Sequence, residues 1–438
     1  MSLLQSLRSA TRSAELGQRM GVIRQLSGLV IDATGPHAVL GEVCRIRVRG
    51  QSEPVLAEVV GIRPGSVSLM TYGSSQGLAA GCEVFATGEV ASIGTGASLL
   101  GRVIDGFGHA LDGGPDPVTF ERRPLKAKPI NPMQRPRIAS VLETGVRSID
   151  TLLTLGQGQR VGIFAGSGVG KSTLLGMIAK HVRADVNVIA LIGERGREVR
   201  EFIEKQLGAD GLARSVVVVA TADQPALARL RATYAAVTIA ESFRDAGQQV
   251  VLTMDSVTRF AMARREVGLS AGEPPTARGY TPSVFAELPE LCERCGTSAS
   301  GGAITALLTV LVEGDDLNEP ITDCMRAVLD GHIVLSRDLA NQGQYPAIDP
   351  LKSTSRLMPD LVDEESRALA VLTSKYLALL ERNRQLVDIG AYVRGSNPEL
   401  DSALAIEPQL RAFLRQDRGG ADRFTSLQSL SKLLKEAS

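Results

Sequence analysis

Residues 165–173 read Ala-Gly-Ser-Gly-Val-Gly-Lys-Ser-Thr and follow directly on the apolar run Arg160-Val161-Gly162-Ile163-Phe164. A strand that breaks into small residues and restarts as a helix constrains the fold more than any other segment of the chain. It requires a strand–loop–helix unit whose backbone N–H groups turn toward one anion, with the positive end of the helix dipole behind them. In such a loop Gly166, Ser167, Gly168, Val169, Gly170 and Thr173 form the cradle. Lys171 reaches the β/γ-phosphates and the Ser172 hydroxyl holds Mg²⁺. The strict pattern has Gly where Ala165 stands, and Ala is small enough to leave the loop intact. The expected ligand is a nucleoside triphosphate such as ATP with its Mg²⁺.

With 438 residues the chain is too long for one hydrophobic core and is expected to form two or three domains. Its 44% hydrophobic and 22% charged residues are ordinary for a globular protein. Lys+Arg and Asp+Glu balance at 48 each, there is no Trp, and aromatic residues make up 4%. That combination offers neither a basic field nor stacking platforms, so no nucleic-acid partner is expected. No apolar run reaches the roughly 18 residues that span a bilayer, and no signal peptide opens the chain. Of five cysteines, Cys292 and Cys295 form a C-x-x-C without a second pair at metal spacing. They are read as reduced and packed, consistent with a cytoplasmic protein.

The texture changes along the chain. Residues 1–20 form an amphipathic segment, with Leu3, Leu4, Leu7 and Leu16 beside Arg8, Arg12 and Arg19. Two readings stand: a frayed terminal helix, or a helix that docks on a partner or an anionic membrane surface. Residues 21–90 carry short β-like runs at Leu29–Ile31, Glu42–Val48, Pro54–Val60 and Ser66–Met70, punctuated by Gly and Pro, which predicts a small barrel. The Gly/Pro-rich stretch from Gly106 to Pro136 reads as an extended crossing. Within 91–355, strands at Arg160–Phe164, Val186–Ile192, Ser215–Ala220, Gln249–Met254 and Thr305–Val312 alternate with helical patterns at Ser172–Val182, Glu198–Gln206 and Gln224–Arg244. Such alternation predicts an α/β core with a mostly parallel sheet. Residues 356–438 read as helical, most clearly over Leu361–Arg384 and Glu407–Arg415.

Chemistry clusters around the loop. The apolar run Val250–Met254 ends in Asp255, the place for a carboxylate that organises Mg²⁺ at a strand's carboxyl end. Val188–Ile192 ends in Gly193-Glu194-Arg195. Glu194 either polarises an attacking water or forms a solvated ion pair with Arg195 or Arg197, and local sequence leaves both open. Arg259, four residues after Asp255 and taken as one helical turn on, is placed to face a γ-phosphate. Arg356, beyond the last strand, has no evident partner in its own chain, which admits an arginine finger supplied to a neighbouring subunit.

Three segments carry a family resemblance: RVGIFAGSGVGKSTLLGMIAKHVRADVNVIALIGERGREVREFIE (Arg160–Glu204), GEPPTARGYTPSVFAELPELCER (Gly272–Arg294) and YPAIDPLKSTSR (Tyr345–Arg356). The chain resembles the rotary-type ATPases, and within them is similar to the ATPases of flagellar type III protein export and their virulence-secretion relatives. The resemblance runs from Gly28 to the helical end and sits nearest the flagellar branch over Arg183–Glu204 and Gly272–Arg294.

It implies an N-terminal barrel, a RecA-like core and a C-terminal helical domain, assembled as a homohexamer with ATP sites at the interfaces. Position by position, it implies that Glu194 is the catalytic glutamate and that Arg195 and Arg259 surround the γ-phosphate. Tyr345 would pack on adenine, and Arg356 would be the neighbour's arginine finger. It further implies regulator and stalk proteins, an export gate and chaperone–substrate complexes as partners, at the cytoplasmic face of the inner membrane. The alternatives are a virulence-type export ATPase, the catalytic subunit of a rotary ATP synthase and a non-catalytic nucleotide-binding subunit. The second expects a more acidic lever than Asp360–Ser366, and the third expects no carboxylate at Glu194.

Overall fold

A computed structural model describes residues 19–312, 316, 318–417 and 419–435. Residues 1–18, and with them most of the amphipathic segment 1–20, lie outside the described residues. The N-terminal part is a closed barrel in the order Met20–Ser27, Val30–Thr34, Ser66–Thr71, Val55–Arg63, Glu42–Arg47, Glu83–Val90. Alternation builds it: in Glu42–Arg47, Cys44 and Ile46 point inward while Arg45 and Arg47 face solvent. Ile23, Ile31, Val59, Leu69 and Val84 complete the interior. The first and last barrel strands give no clear run in the sequence. Gly21 and Gly88 interrupt their apolar pattern, and the pairing of these two strands with each other closes the barrel.

The core is a nine-stranded sheet in the order Ile348–Ser355, Gly331–Leu335, Arg160–Ala165, Ala303–Leu311, Gln249–Asp255, Val186–Ile192, Ser215–Ala220, Arg102–Ile104, with Gly296–Thr297 paired at the side of Ala303–Leu311. Along this order every neighbouring pair is parallel except the last hairpin, Gly331–Leu335 with Ile348–Ser355. Both faces are covered, which is why these strands read as unbroken apolar runs. Val188, Ala190 and Ile192 face the helices Ala226–Asp245 and Val257–Ser270, whereas Ile189 and Leu191 face the helix Lys171–His181. The stretch from Gly106 to Pro136 is less of a bare crossing than expected. Just before it, Arg102–Ile104 extends the core sheet, and Glu121–Pro124 pairs with Ser92–Thr95. Strands of three or four residues leave no periodic signal, because their partners lie far off in sequence. The helix expected over Glu198–Gln206 starts at Gly196 and widens into a π-turn over Phe202–Leu207.

Three helices, Glu364–Asp388, Pro398–Leu414 and Arg423–Lys435, close the chain. Ala403, Ile406, Leu410 and Leu430 share one apolar cluster with Leu174, Leu175 and Ile178 of the helix that follows the phosphate loop. Arg231 ties barrel to core. Its Nε donates to Gly106 O at 3.0 Å, its Nη2 to Ser92 O at 2.8 Å, and its guanidinium lies 4.0 Å from the Phe107 ring centre and 5.2 Å from that of Tyr72. Cys292 and Cys295 are free and buried, and burial pushes the Cys295 thiol up to about 12, so both act as packed, unreactive groups.

Beneath the sheet, Arg294 Nη2 and Nε donate to the two oxygens of Glu241 at 2.6 and 2.9 Å, with side chains only 3% and 8% exposed. Arg294 also donates to Leu125 O at 2.7 Å and Thr238 Oγ1 at 3.0 Å. Removing one member of a buried pair strands the other charge, at a cost of about 3–5 kcal/mol. Arg294→Met is therefore expected to lower the thermal midpoint sharply, and Arg294→Met with Glu241→Leu to recover most of the loss. Equal losses in the single and double variants would show that the pair is not coupled.

Candidate nucleotide site

The phosphate loop leaves the carboxyl end of Arg160–Ala165 and opens the helix Lys171–His181. Val169 is buried and anchors the loop, while Ser167, Gly168, Ser172 and Thr173 are exposed. Gly170 occupies the N-cap in the left-handed region at φ 88°, with no side chain capping the helix. The first-turn N–H groups are thus free to meet an anion. A Cβ on Gly170 would lie 3.2 Å from the Tyr345 ring, so Tyr345 rests directly against the loop.

Sheet order brings the other groups to it. Ala303–Leu311 lies between the loop strand and Gln249–Asp255, and Val186–Ile192 comes next. Their carboxyl ends set Asp255 and Glu194 in one crevice, where open α/β sheets bind ligands. The Lys171 ammonium bonds Asp255 and lies 3.6 Å from Glu194 Oε1. The three side chains are 12%, 5% and 19% exposed for Lys171, Asp255 and Glu194. Asp255 Oδ1 also accepts from the buried Thr309 hydroxyl at 2.8 Å. Burial first, and then the charge of Asp255, push the Glu194 carboxyl up to about 7, against the opposing pull of Lys171. Gly193, at φ 71°, makes the turn that presents Glu194, and a Cβ there would meet the Arg259 side chain at 2.9 Å.

Arg259 reaches the crevice by a different route from the one expected. Asp255 ends a strand, and a new helix, Val257–Ser270, starts with Ser256 as its cap. Arg259 therefore lies in a first turn, its stem packed on Gly193, not one turn along a helix from Asp255. Its Nε is enclosed without an acceptor among the described residues. Arg195 points outward, 72% exposed, with its Nη1 3.4 Å from Glu198. Arg356 stands apart. The hairpin register sets Ile348 level with Leu335 and Ala165, and Ser355 beside Gly331. The strand Ile348–Ser355 thus sets Tyr345, just before it, at the loop end of the sheet and Arg356, just after it, at the opposite end. Arg356 is exposed, and its Nη2 donates to Arg326 O at 3.1 Å.

Thr309 belongs to the site without matching any motif. The run Ala303–Leu311 carries two hydroxyls among apolar residues, Thr305 and Thr309, and a buried hydroxyl in such a strand is the sequence signal that a polar partner waits beside it. The donor set suits Mg²⁺: the Ser172 hydroxyl and the Asp255 carboxylate are hard oxygen ligands. Among the described residues no group of three or more His, Cys, Asp or Glu forms a cage.

Comparison with known proteins gives the family. Residues 145–355 match the ATP synthase alpha/beta family nucleotide-binding domain, 23–88 its beta-barrel domain, and 362–434 the T3SS EscN ATPase C-terminal domain. The chain is 54% identical over 418 residues to the flagellum-specific ATP synthase of Bacillus subtilis, covering 94% of each. The assembled ATPase EscN from the type III secretion system of enteropathogenic E. coli superposes with a TM-score of 0.90 at 44% identity, over 94% of this chain and all of that one. EscN in complex with its central stalk EscO gives 0.87 at 43%, with the same coverage. No helix among the described residues is long and apolar enough to cross a membrane. A barrel, a phosphate-loop core and an EscN-type helical end in one chain, with relatives matched over nearly its full length, make this protein a member of the flagellar and type III secretion ATPase family and an ATP-hydrolysing enzyme.

Proposed function

We propose that this ATPase energises type III protein export, most directly of flagellar components, and that its working units are residues 21–90, 91–355 and 356–438, preceded by 1–20. The single observation that carries the catalytic reading is the Lys171 ammonium set between Asp255 and Glu194 at the mouth of the phosphate loop. Lys171 and the N–H groups of Gly166–Thr173 take the β/γ-phosphates. Ser172 and Asp255 hold Mg²⁺, which, when bound, neutralises charge on the transferring phosphoryl group. Glu194 accepts a hydrogen bond from the attacking water and aligns it. Arg259 and Arg195 flank the γ-phosphate, Arg259 from beneath Gly193 and Arg195 from the rim. The Tyr345 ring, already against Gly170, stacks on adenine.

Arg356 supports a site completed in trans. It lies at the far end of the sheet from its own loop, so it serves only a loop on another copy. Closed rings of head-to-tail copies satisfy such a contact, and the assembled state of EscN supports a homohexamer. The EscN–EscO complex supports a stalk protein as a further partner. Regulator, export gate and chaperone–substrate complexes complete the proposed set, with the enzyme held at the cytoplasmic face of the inner membrane through contacts that include residues 1–20. The flagellar branch is favoured by 54% identity to a flagellar relative against 46% to the type 3 secretion system ATPase of Xanthomonas euvesicatoria.

Glu194→Gln and Lys171→Ala should each abolish hydrolysis, with Glu194→Gln sparing nucleotide binding. Steady-state ATPase and equilibrium binding measure this, and full activity in Glu194→Gln would refute the role of Glu194. Glu194 aligns water only when ionised, and its carboxyl is raised to about 7. The rate as kcat/KM should therefore rise with pH from 6 to 8 about a midpoint near 7, with ATP kept as its Mg²⁺ complex. A flat or falling profile over that range contradicts it. Specific activity should increase with protein concentration, and mixing Arg356→Ala with Lys171→Ala subunits should restore turnover that neither shows alone. A concentration-independent rate and no complementation would exclude the shared site.

A further inference from the structure

Gln416 follows the helix Pro398–Leu414, is nearly buried, and has no part in the chemistry described above. Its side chain is fully used. Oε1 accepts from Arg147 N at 2.8 Å, and Nε2 donates to Gly145 O at 2.9 Å and to Gly419 O at 2.7 Å. Its backbone N–H donates to Tyr345 O at 2.8 Å. Gly145 and Arg147 belong to a rigid corner of the core, where Asp150 accepts from Thr144 N, Thr144 Oγ1 and Gly145 N at 2.7–2.9 Å. The Gln416 side chain thus fixes its own backbone to the core, and that backbone in turn holds the Tyr345 carbonyl.

A second contact acts on the same loop. Arg411 Nη1, on the last turns of the same helix, donates to Gln342 Oε1 at 3.0 Å, while its guanidinium stays paired with Glu407. The segment 342–345 is therefore fastened to one helical element at both its ends, and at its tip the Tyr345 ring covers Gly170 of the phosphate loop.

We propose that Gln416, assisted by Arg411, is a positioning residue that sets the Tyr345 ring over the nucleotide and couples the C-terminal helices to nucleotide affinity. The inference rests on Tyr345 being the base platform. Loss of the Gln416 side chain leaves the Tyr345 ring and every phosphate-binding group in place chemically, but frees the segment that holds the ring. Binding of the base then carries the cost of ordering that segment, and the chemical step does not.

The test compares Tyr345→Ala, Gln416→Met, Arg411→Met and the double variant Tyr345→Ala/Gln416→Met in steady-state ATPase assays, with thermal unfolding as a control for folding. Gln416→Met, which keeps the side-chain volume and removes its hydrogen bonds, should raise KM for ATP about 3- to 10-fold, the worth of one lost net hydrogen bond, with kcat within about twofold. Arg411→Met, at a half-exposed site where folding is not at risk, should raise KM in the same direction by a smaller factor. In the Tyr345→Ala background, Gln416→Met should add nothing further to KM, because a positioning effect vanishes with the group positioned. A full additional increase there, or a fall in kcat with KM unchanged, would overturn the proposal in favour of a purely structural role. Unchanged KM in Tyr345→Ala would overturn the base-platform reading itself. A raised KM in Tyr345→Ala beside unchanged values in both Gln416→Met and Arg411→Met would overturn only the present inference.

Discussion

The Lys171 ammonium, set between the carboxylates of Asp255 and Glu194, is the interaction on which the rest of this molecule is organised. Burial first, and then the negative charge of Asp255 in the same crevice, raise the Glu194 carboxyl. A cation must stand between the two for both to ionise. In a phosphate-loop enzyme the same crevice receives the positive charge of a metal and the negative charge of a polyphosphate, so the balance is remade in each turnover. A rigid frame is needed to keep the groups at fixed separation while their partners change.

The parallel sheet is that frame. Strands buried on both faces cannot shift register without exposing apolar side chains. The loop, Asp255 and Glu194 leave three strands whose order is set by pairing through Ala303–Leu311, and Thr309 on that intervening strand braces Asp255 from the side. The final hairpin carries the feature behind the proposal of a site shared between subunits. The edge strand Ile348–Ser355 is preceded by Tyr345 at its own loop and followed by Arg356 at the opposite end of the sheet. The helical end does not hang from this frame as a separate body. It shares the apolar cluster of the phosphate-loop helix and is pinned to the Tyr345 segment, so its position and the shape of the nucleotide site are mechanically joined.

Much of this is legible in the amino-acid sequence. The loop, the core strands and the barrel announce themselves because their signals are local: small residues at fixed spacing, continuous apolar runs, alternation broken by Gly and Pro. What escapes is non-local. The strands Arg102–Ile104 and Glu121–Pro124 are too short to show a period, and they exist only because a distant edge is available to pair with. Residue spacing sets Arg259 one helical turn from Asp255, whereas a strand end and a new helix cap separate them, and its place comes from packing on Gly193. Thr309 and Gln416 are ordinary polar residues in sequence, and their importance lies wholly in which groups they meet.

By itself the sequence determined that this chain binds a nucleoside triphosphate on a strand–loop–helix unit, because backbone geometry at Gly166–Thr173 follows from residue size and spacing alone. Through the residues of Arg160–Glu204 and Tyr345–Arg356 it also pointed to the export branch of the rotary ATPases. Only the tertiary structure decided that Lys171, Asp255 and Glu194 share one crevice, that Tyr345 lies on the loop while Arg356 faces away from it, and that Gln416 holds the Tyr345 segment. The physical reason is that strand order and register bring together groups far apart along the chain, and neither is written in any local pattern.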